Sequence, residues 1–312
     1  MPDKTVLAFL APGQGSQTPG MLAEWLELPG ASARIAAWSE ISGLDLARLG
    51  TTADAQEITD TAVTQPLVVA ATLLAYEELT RRDVLTGDEQ IVAAGHSVGE
   101  IAAYAIAGVI TADEAVSLAA TRGREMAKAC AVEPTGMSAL LGGDEAEVLA
   151  RLEALDLVPA NRNAAGQIVA AGATAALEKL AEDPPARARV RPLATAGAFH
   201  TRYMEPALAE YTVVADRITP AEPSVTLLSN ADGRPVASAH DAMTKLVAQM
   251  TRPVRWDLCT ATMRELGVNA LVEFPPAGTL SGIAKRELKG TPTHPIKSPA
   301  DLDGLAEALR AV

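Results

Sequence analysis

Only two cysteines, Cys130 and Cys259, occur in 312 residues, and neither lies in a C-x-x-C pair. A disulfide framework is therefore excluded, and the usage fits a reducing, cytoplasmic compartment. Aromatics are scarce at 3%, which leaves little surface on which bases can stack. Basic residues are in deficit: 26 Lys+Arg face 39 Asp+Glu, for a net charge of −13. Nucleic acid is excluded as a partner, because phosphate contacts need basic surface in excess. No run approaches the roughly 18 apolar residues of a membrane span. Met1-Pro2-Asp3-Lys4 lacks a basic segment leading into an apolar one, so no signal peptide is expected. The four histidines (His96, His200, His240 and His294) are scattered with no H-E-x-x-H, and no metal site is expected.

What is present is 48% hydrophobic residue, enough for one large domain or a large and a small one. Val6–Leu10 reads as a short buried strand stopped at Pro12-Gly13. Gln65–Leu79 reads as an apolar helix entered through Pro66. A strand at Ile91–Ala94 ends at Gly95, and Glu100–Ala107 reads as helix. Thr111 to Glu114 forms a capping-box pattern opening a helix to about Ala131. Strands separated by helices imply a mainly parallel, doubly covered sheet. The middle changes character. Strand Met137–Leu141, helix Asp144–Leu155, strands Val158–Asn163 and Gln167–Ala171, helix Thr174–Ala181 and strand Arg187–Leu193 give the β-α-β-β-α-β order of a ferredoxin-like unit. Residues 130–195 are thus expected to form a small inserted domain. Residues 1–129 and 196–312 would form a discontinuous, hydrolase-like three-layer α/β domain. Its second part carries helices Met204–Ile218, Ala239–Met250, Arg255–Leu266 and Ala300–Ala311, with strands Val225–Ser229 and Asn269–Phe274.

Gly95-His96-Ser97-Val98-Gly99 matches G-x-S-x-G between a strand and a helix. There the pattern either builds a nucleophile elbow around Ser97 or is a Gly-rich turn with an N-capping serine. A serine nucleophile needs a base, and His200, on a small-residue loop after the last small-domain strand, is the better candidate. His96 should point away from the serine on a tight elbow, as packing or as support behind the reacting groups. The Pro12–Gln17 loop is neither G-x-G-x-x-G nor a P-loop. It is a plain turn, or it offers the Gln14 N–H, with that of Val98, to an oxyanion. Arg122 falls within the apolar stripe Ala115, Leu118, Ala119 and Met126, so its charge needs an anionic partner. That partner is either a carboxylate of the protein, with Glu125 at hand, or the carboxylate of a ligand.

Taken together, these motifs resemble the malonyl-CoA:acyl carrier protein transacylases and the acyltransferase domains of polyketide synthases. The resemblance spans Pro12–Gln17, Thr64-Gln65-Pro66, Gly95–Glu100, Arg122-Gly123, Asn163–Gly172, Ala198-Phe199-His200, Gln249–Val254 and Phe274–Gly278, and is nearest the stand-alone actinobacterial type. It implies ping-pong transfer through a malonyl ester of Ser97, with His200 as base and the pantetheine thiol of acyl carrier protein as acceptor. It implies that a backbone carbonyl near Gln249 orients the histidine. It further assigns Arg122 to the malonyl carboxylate, Gln14 and Val98 to the oxyanion, and Asn161 or Asn163 to the acyl or pantetheine path. Phe199 resembles malonyl-selective members. Gly197 departs from malonyl-selective polyketide domains, which carry histidine there, and Ala165 replaces a common proline. No cofactor is implied beyond the phosphopantetheine on the carrier, and the chain is expected to act as a monomer.

Two other readings use the same residues. A serine hydrolase would carry an H-G-G-G-type loop and Ser…Asp/Glu…His order, and no such loop occurs. A silent docking protein would have no need of the Ser97, His200 and Arg122 set. Both expected substrates are anionic and so is the chain, so binding must rest on local cations. Arg187, Arg189 and Arg191, or Lys285, Arg286 and Lys289, are either such a surface or merely solvated faces.

Overall fold

The computed structural model describes residues 5–310. In chain order the strands are β1 (Val6–Ala11), β2 (Gln90–Gly95), β3 (Thr135–Gly142), β4 (Val158–Ala164), β5 (Gln167–Ala173), β6 (Ala188–Pro192), β7 (Thr226–Leu227), β8 (Ala270–Glu273) and β9 (Thr293–Pro295). Five form a parallel sheet in the order β7-β2-β1-β8-β9. The continuous apolar run of β1 is buried on both faces, as a central parallel strand must be. Its alternate side chains separate cleanly. Leu7, Phe9 and Ala11 join one core, while Val6, Ala8 and Leu10 join another with Trp256, Cys259 and Met263.

The helices are α1 (Ala31–Ser42), α2 (Leu46–Thr51), α3 (Thr61–Arg81), α4 (Gly99–Ile106), α5 (Ala112–Cys130), α6 (Glu145–Ala154), α7 (Thr174–Glu182), α8 (Leu208–Ala215), α9 (Ala239–Ala248), α10 (Trp256–Glu265), α11 (Thr279–Glu287) and α12 (Leu305–Arg310). Pro66 does not open α3. The helix begins at Thr61, capped by the Asp60 side chain, and the proline sits inside it. The expected capping box does open α5: Thr111 Oγ1 accepts the Glu114 N–H, and the Glu114 carboxylate accepts the Thr111 N–H. α3 packs along α5, which brings Gln65 to Arg122.

Several expected elements are shorter or divided. The segment expected as one helix from Met204 is a 3-10 turn (Arg202–Ala207) followed by α8, since Pro206 has no N–H to continue an α-helical ladder. The C-terminal segment likewise divides into a 3-10 turn (Pro299–Leu302) and α12; Ala311 lies outside the described residues. The helix from Ala239 yields to a 3-10 turn over Gln249–Thr251.

The other four strands form an antiparallel sheet in the order β4-β5-β3-β6, with α6 and α7 packed through Leu140, Val148, Leu152, Ile168 and Leu180. The edge strand β4 is tied to the segment before α10. The Arg162 N–H donates to the Val254 oxygen at 2.9 Å and the Val254 N–H to the Ala160 oxygen at 2.8 Å. The smaller sheet is thereby held over the carboxyl ends of β1 and β2.

Candidate active site

β2 ends at Gly95, α4 starts at Gly99, and Ser97 lies between with φ 54°, a left-handed conformation costly for a residue with a side chain. Two glycines make the turn possible. A Cβ on Gly95 would fall 2.0 Å from the Gly99 oxygen, and one on Gly99 would fall 2.2 Å from the Ala11 oxygen. Asn230 clamps the turn from the far side. Its Oδ1 accepts the Ser97 N–H at 2.9 Å, and its Nδ2 donates to the Gly95 oxygen at 2.7 Å. The strain at the serine is held by surrounding structure, as a nucleophile elbow requires.

Ser97 Oγ lies 2.7 Å from His200 Nε2, and His200 Nδ1 lies 2.8 Å from the Gln249 backbone oxygen. A carbonyl only accepts, so Nδ1 carries the proton and Nε2 faces the serine as an acceptor. His200 is itself left-handed, with φ 61°. Burial first, then the field of Arg122, pushes its imidazole down to about 3, against the opposing effect of the Gln249 bond. The free site therefore holds a neutral base at physiological pH.

Arg122 is 1% exposed. It donates to Gln65 Oε1 and Gln249 Oε1, both at 2.8 Å, and its Nη2 lies 3.4 Å from Ser97 Oγ. Glu125 is not its partner; that carboxylate pairs with Lys128 and Arg124. Neutral side chains alone contact the guanidinium among the described residues, although burying a charge costs several kcal/mol unless it is paired.

These groups open onto one cavity of about 550 Å³, lined also by Gln14, Asn161, Asn163 and Phe199. Neither the Gln14 nor the Val98 backbone N–H donates to another described residue, while the Gln14 side chain rests on Thr61 Oγ1 at 3.2 Å. His96 packs edge-on against Trp256, and its Nε2 meets Asn163 Oδ1 on β4 at 2.8 Å, so it stands in the cavity wall behind that asparagine. His240 is exposed and His294 lies on β9, both apart from the cavity lining. Among the described residues no three His, Cys, Asp or Glu side chains group to hold a metal. No described helix is long and apolar enough to cross a membrane.

Asn230 and the side chains of Gln65 and Glu100 received no role from the sequence. Gln65 and Glu100 stood inside recognised motifs. Asn230 was marked only by the turn after it.

An elbow serine paired with a histidine under a small antiparallel sheet fits the class of serine acyl-transfer enzymes. The chain matches the family described as "Acyl transferase domain" over residues 8–301, and it belongs to that family. It is 73% identical over 301 residues to the malonyl CoA-acyl carrier protein transacylase of Mycobacterium tuberculosis strain H37Rv, covering 96% of this chain and 99% of that one. The crystal structure of MCAT from Mycobacterium tuberculosis superposes with a TM-score of 0.95 at 72% identity, over 96% of this chain and 99% of that one. A malonyl-transacylase in complex with a type II polyketide acyl carrier protein gives 0.91 at 29% identity, over 97% of this chain and all of that one.

Proposed function

We propose that this chain transfers the malonyl group of malonyl-CoA to the pantetheine thiol of an acyl carrier protein, through a malonyl ester of Ser97. The observation that carries this reading is Arg122, a buried cation with neutral partners, 3.4 Å from the serine oxygen. A guanidinium so placed selects an acyl group that ends in a carboxylate. The names of the relatives and the solved complex with a carrier protein support the same substrates.

His200 Nε2 takes the Ser97 proton as Oγ bonds to the thioester carbon. The developing oxyanion is met by the Gln14 and Val98 N–H groups, and a donor of this kind is worth about 10²–10³ in rate. The C–S bond then breaks and His200 returns the proton to the departing CoA sulfur. In the second half the carrier thiol gives its proton to His200 and attacks the ester, and Ser97 leaves with that proton. Gln249 holds the imidazole in the required tautomer, a carbonyl serving where other serine enzymes use a carboxylate. Phe199 limits the room beside the acyl group, and Asn163, held by His96, faces the pantetheine path. Residues 130–195 act as the inserted ferredoxin-like domain and the remainder as the hydrolase-like catalytic domain. The reading needs no cofactor beyond the carrier's phosphopantetheine and fits a cytoplasmic enzyme.

Intact-protein mass after mixing with malonyl-CoA tests it. A malonyl adduct is expected that persists in buffer, clears on adding the phosphopantetheinylated carrier, and is missing in Ser97→Ala. An adduct that clears equally fast in buffer identifies a hydrolase, and an adduct on Ser97→Ala removes the serine from the reaction.

A further inference from the structure

Glu100 faces Arg122 across a single amide. Gln249 Oε1 accepts from Arg122 Nη2 at 2.8 Å, while Gln249 Nε2 donates to Glu100 Oε2 at 2.7 Å. The other oxygen, Oε1, accepts the Asn230 N–H at 2.6 Å. Glu100 is 0% exposed and Arg122 is 1% exposed. The pair is thus a buried cation and a buried carboxylate held apart by the Gln249 side chain. The amide has its oxygen turned to the cation and its nitrogen to Glu100, and that nitrogen also donates to the Ser97 backbone oxygen at 2.9 Å and to Asn230 Oδ1 at 3.1 Å, so Glu100 is one of three acceptors that fix its orientation. Because Glu100 does not touch the guanidinium, the face of Arg122 toward the cavity stays free for a ligand. This rests on the reading that Arg122 receives the acyl carboxylate. Once it does, two carboxylates share one arginine in a buried site, an arrangement in which one of them is driven to take a proton.

We propose that Glu100 is a positioning residue that orients Arg122 through Gln249, and that a carboxylate-bearing acyl group binds with Glu100 protonated, drawing a proton from solvent wherever Glu100 is ionised beforehand. Its surroundings suit that role. Burial pushes Glu100 up to about 8, against its bonds to Asn230 and Gln249 and the charges of Arg122 and Lys245. The other titratable groups facing it, Tyr104 on its own helix, Tyr211 on α8 and Cys259 on α10, are all held neutral by burial. Glu100 is the member of this cluster that changes charge near neutrality. Above about pH 8 the ionised Glu100 opposes an incoming carboxylate, whereas an acetyl group is indifferent to it.

The test is the KM for malonyl-CoA and for acetyl-CoA from pH 6 to 9.5, in the wild type, Glu100→Gln and Arg122→Ala. Acetyl-CoA carries the same CoA ionisations and serves as the internal control. The wild-type malonyl KM is expected to rise about fivefold or more between pH 7 and 9, with acetyl flat, as linkage to one titrating group requires. Glu100→Gln is expected to abolish that rise. A wild-type malonyl KM that tracks acetyl, or a rise that survives in Glu100→Gln, overturns the proposal. A purely structural role for Glu100 lowers kcat for both acyl groups and leaves the pH profile unchanged. If Glu100→Gln does not fold, the wild-type malonyl-against-acetyl comparison decides alone. Arg122→Ala separates the two readings. Equal loss for both acyl groups sinks the assignment of Arg122, whereas selective malonyl loss with a persistent rise sinks only that of Glu100.

Discussion

Arg122 and His200 are both held by Gln249: its side-chain oxygen takes the guanidinium at 2.8 Å, and its backbone oxygen takes His200 Nδ1 at 2.8 Å. The group proposed to select the acyl chain and the group proposed to move protons therefore share one anchor. Removing the guanidinium should separate their contributions. Arg122→Ala is expected to lower malonyl transfer about 100-fold, corresponding to about 3 kcal/mol from charge-assisted hydrogen bonds to the substrate carboxylate. Acetyl transfer should change less than about threefold, because acetyl offers nothing to bind the cation. Parallel steady-state assays check this, with a thermal melt to confirm folding. Equal losses would show Arg122 to be structural.

The depressed His200 imidazole has a consequence for pH. Its value in the folded protein, about 3, lies below the ordinary 6.5, so the active neutral form persists until pH falls through the lower value. For the free enzyme, kcat/KM for malonyl-CoA is expected to stay level from about pH 5 to 7, with no acid limb at the ordinary imidazole value. The Arg122 field is the second cause of the depression, so Arg122→Ala should move the acid limb of acetyl transfer upward. Rate profiles over this range decide the matter. A wild-type limb centred near 6.5 would mean that His200 is solvated in the working enzyme.

The same pH behaviour contributes to stability with a definite sign. A buried neutral histidine with a lowered value stabilises the fold above the unfolded value and loses that contribution as pH falls toward the folded one. Glu100 acts oppositely: its raised value stabilises below 4.5 and the contribution is lost as pH rises to about 8. The two groups together favour mildly acidic conditions for the fold.

Much of this was legible in the chain because the signals are local. β1 and β2 are short apolar runs, the capping box at Thr111 lies within four residues, and the chain order of strands and helices between Met137 and Leu193 shows as changes of pattern along the sequence. Arg122 was legible because a charge in an apolar stripe breaks a simple pattern. What escaped depends on polar contacts between distant segments. Asn230 reaches Ser97 across 133 positions, and Gln249 reaches Glu100 across 149. No periodicity marks such residues. The partner of His96 escaped for a related reason, since Asn163 lies on the other sheet. α1 and α2 escaped because small and polar residues blur their apolar faces, and only Ile35 and Trp38 anchor the middle of α1.

Two basic clusters stand on elements that line the cavity, and they bear on how an enzyme with net charge −13 would meet a carrier protein. Arg187, Arg189 and Arg191 are exposed on and beside the edge strand β6, and the chain after them, Leu193 to Thr195, lines the cavity. Lys285, Arg286 and Lys289 are exposed at and just beyond the end of α11, whose Thr279, Leu280 and Ile283 also line the cavity. Arg286 donates to Gln167, so Lys285 and Lys289 are the charges to reverse on that side. Local cations on these elements attract what the global field repels, and pairs of this kind act mainly on association. Arg189→Glu with Arg191→Glu, and separately Lys285→Glu with Lys289→Glu, should each raise the carrier KM about tenfold at low salt, an effect that fades as salt screens it. Loading of Ser97 from a short malonyl thioester without the CoA phosphates should be unchanged. Steady-state carrier titrations at two ionic strengths measure this. A cluster whose reversal leaves the carrier KM unaltered is a solvated face, and docking then rests on the other.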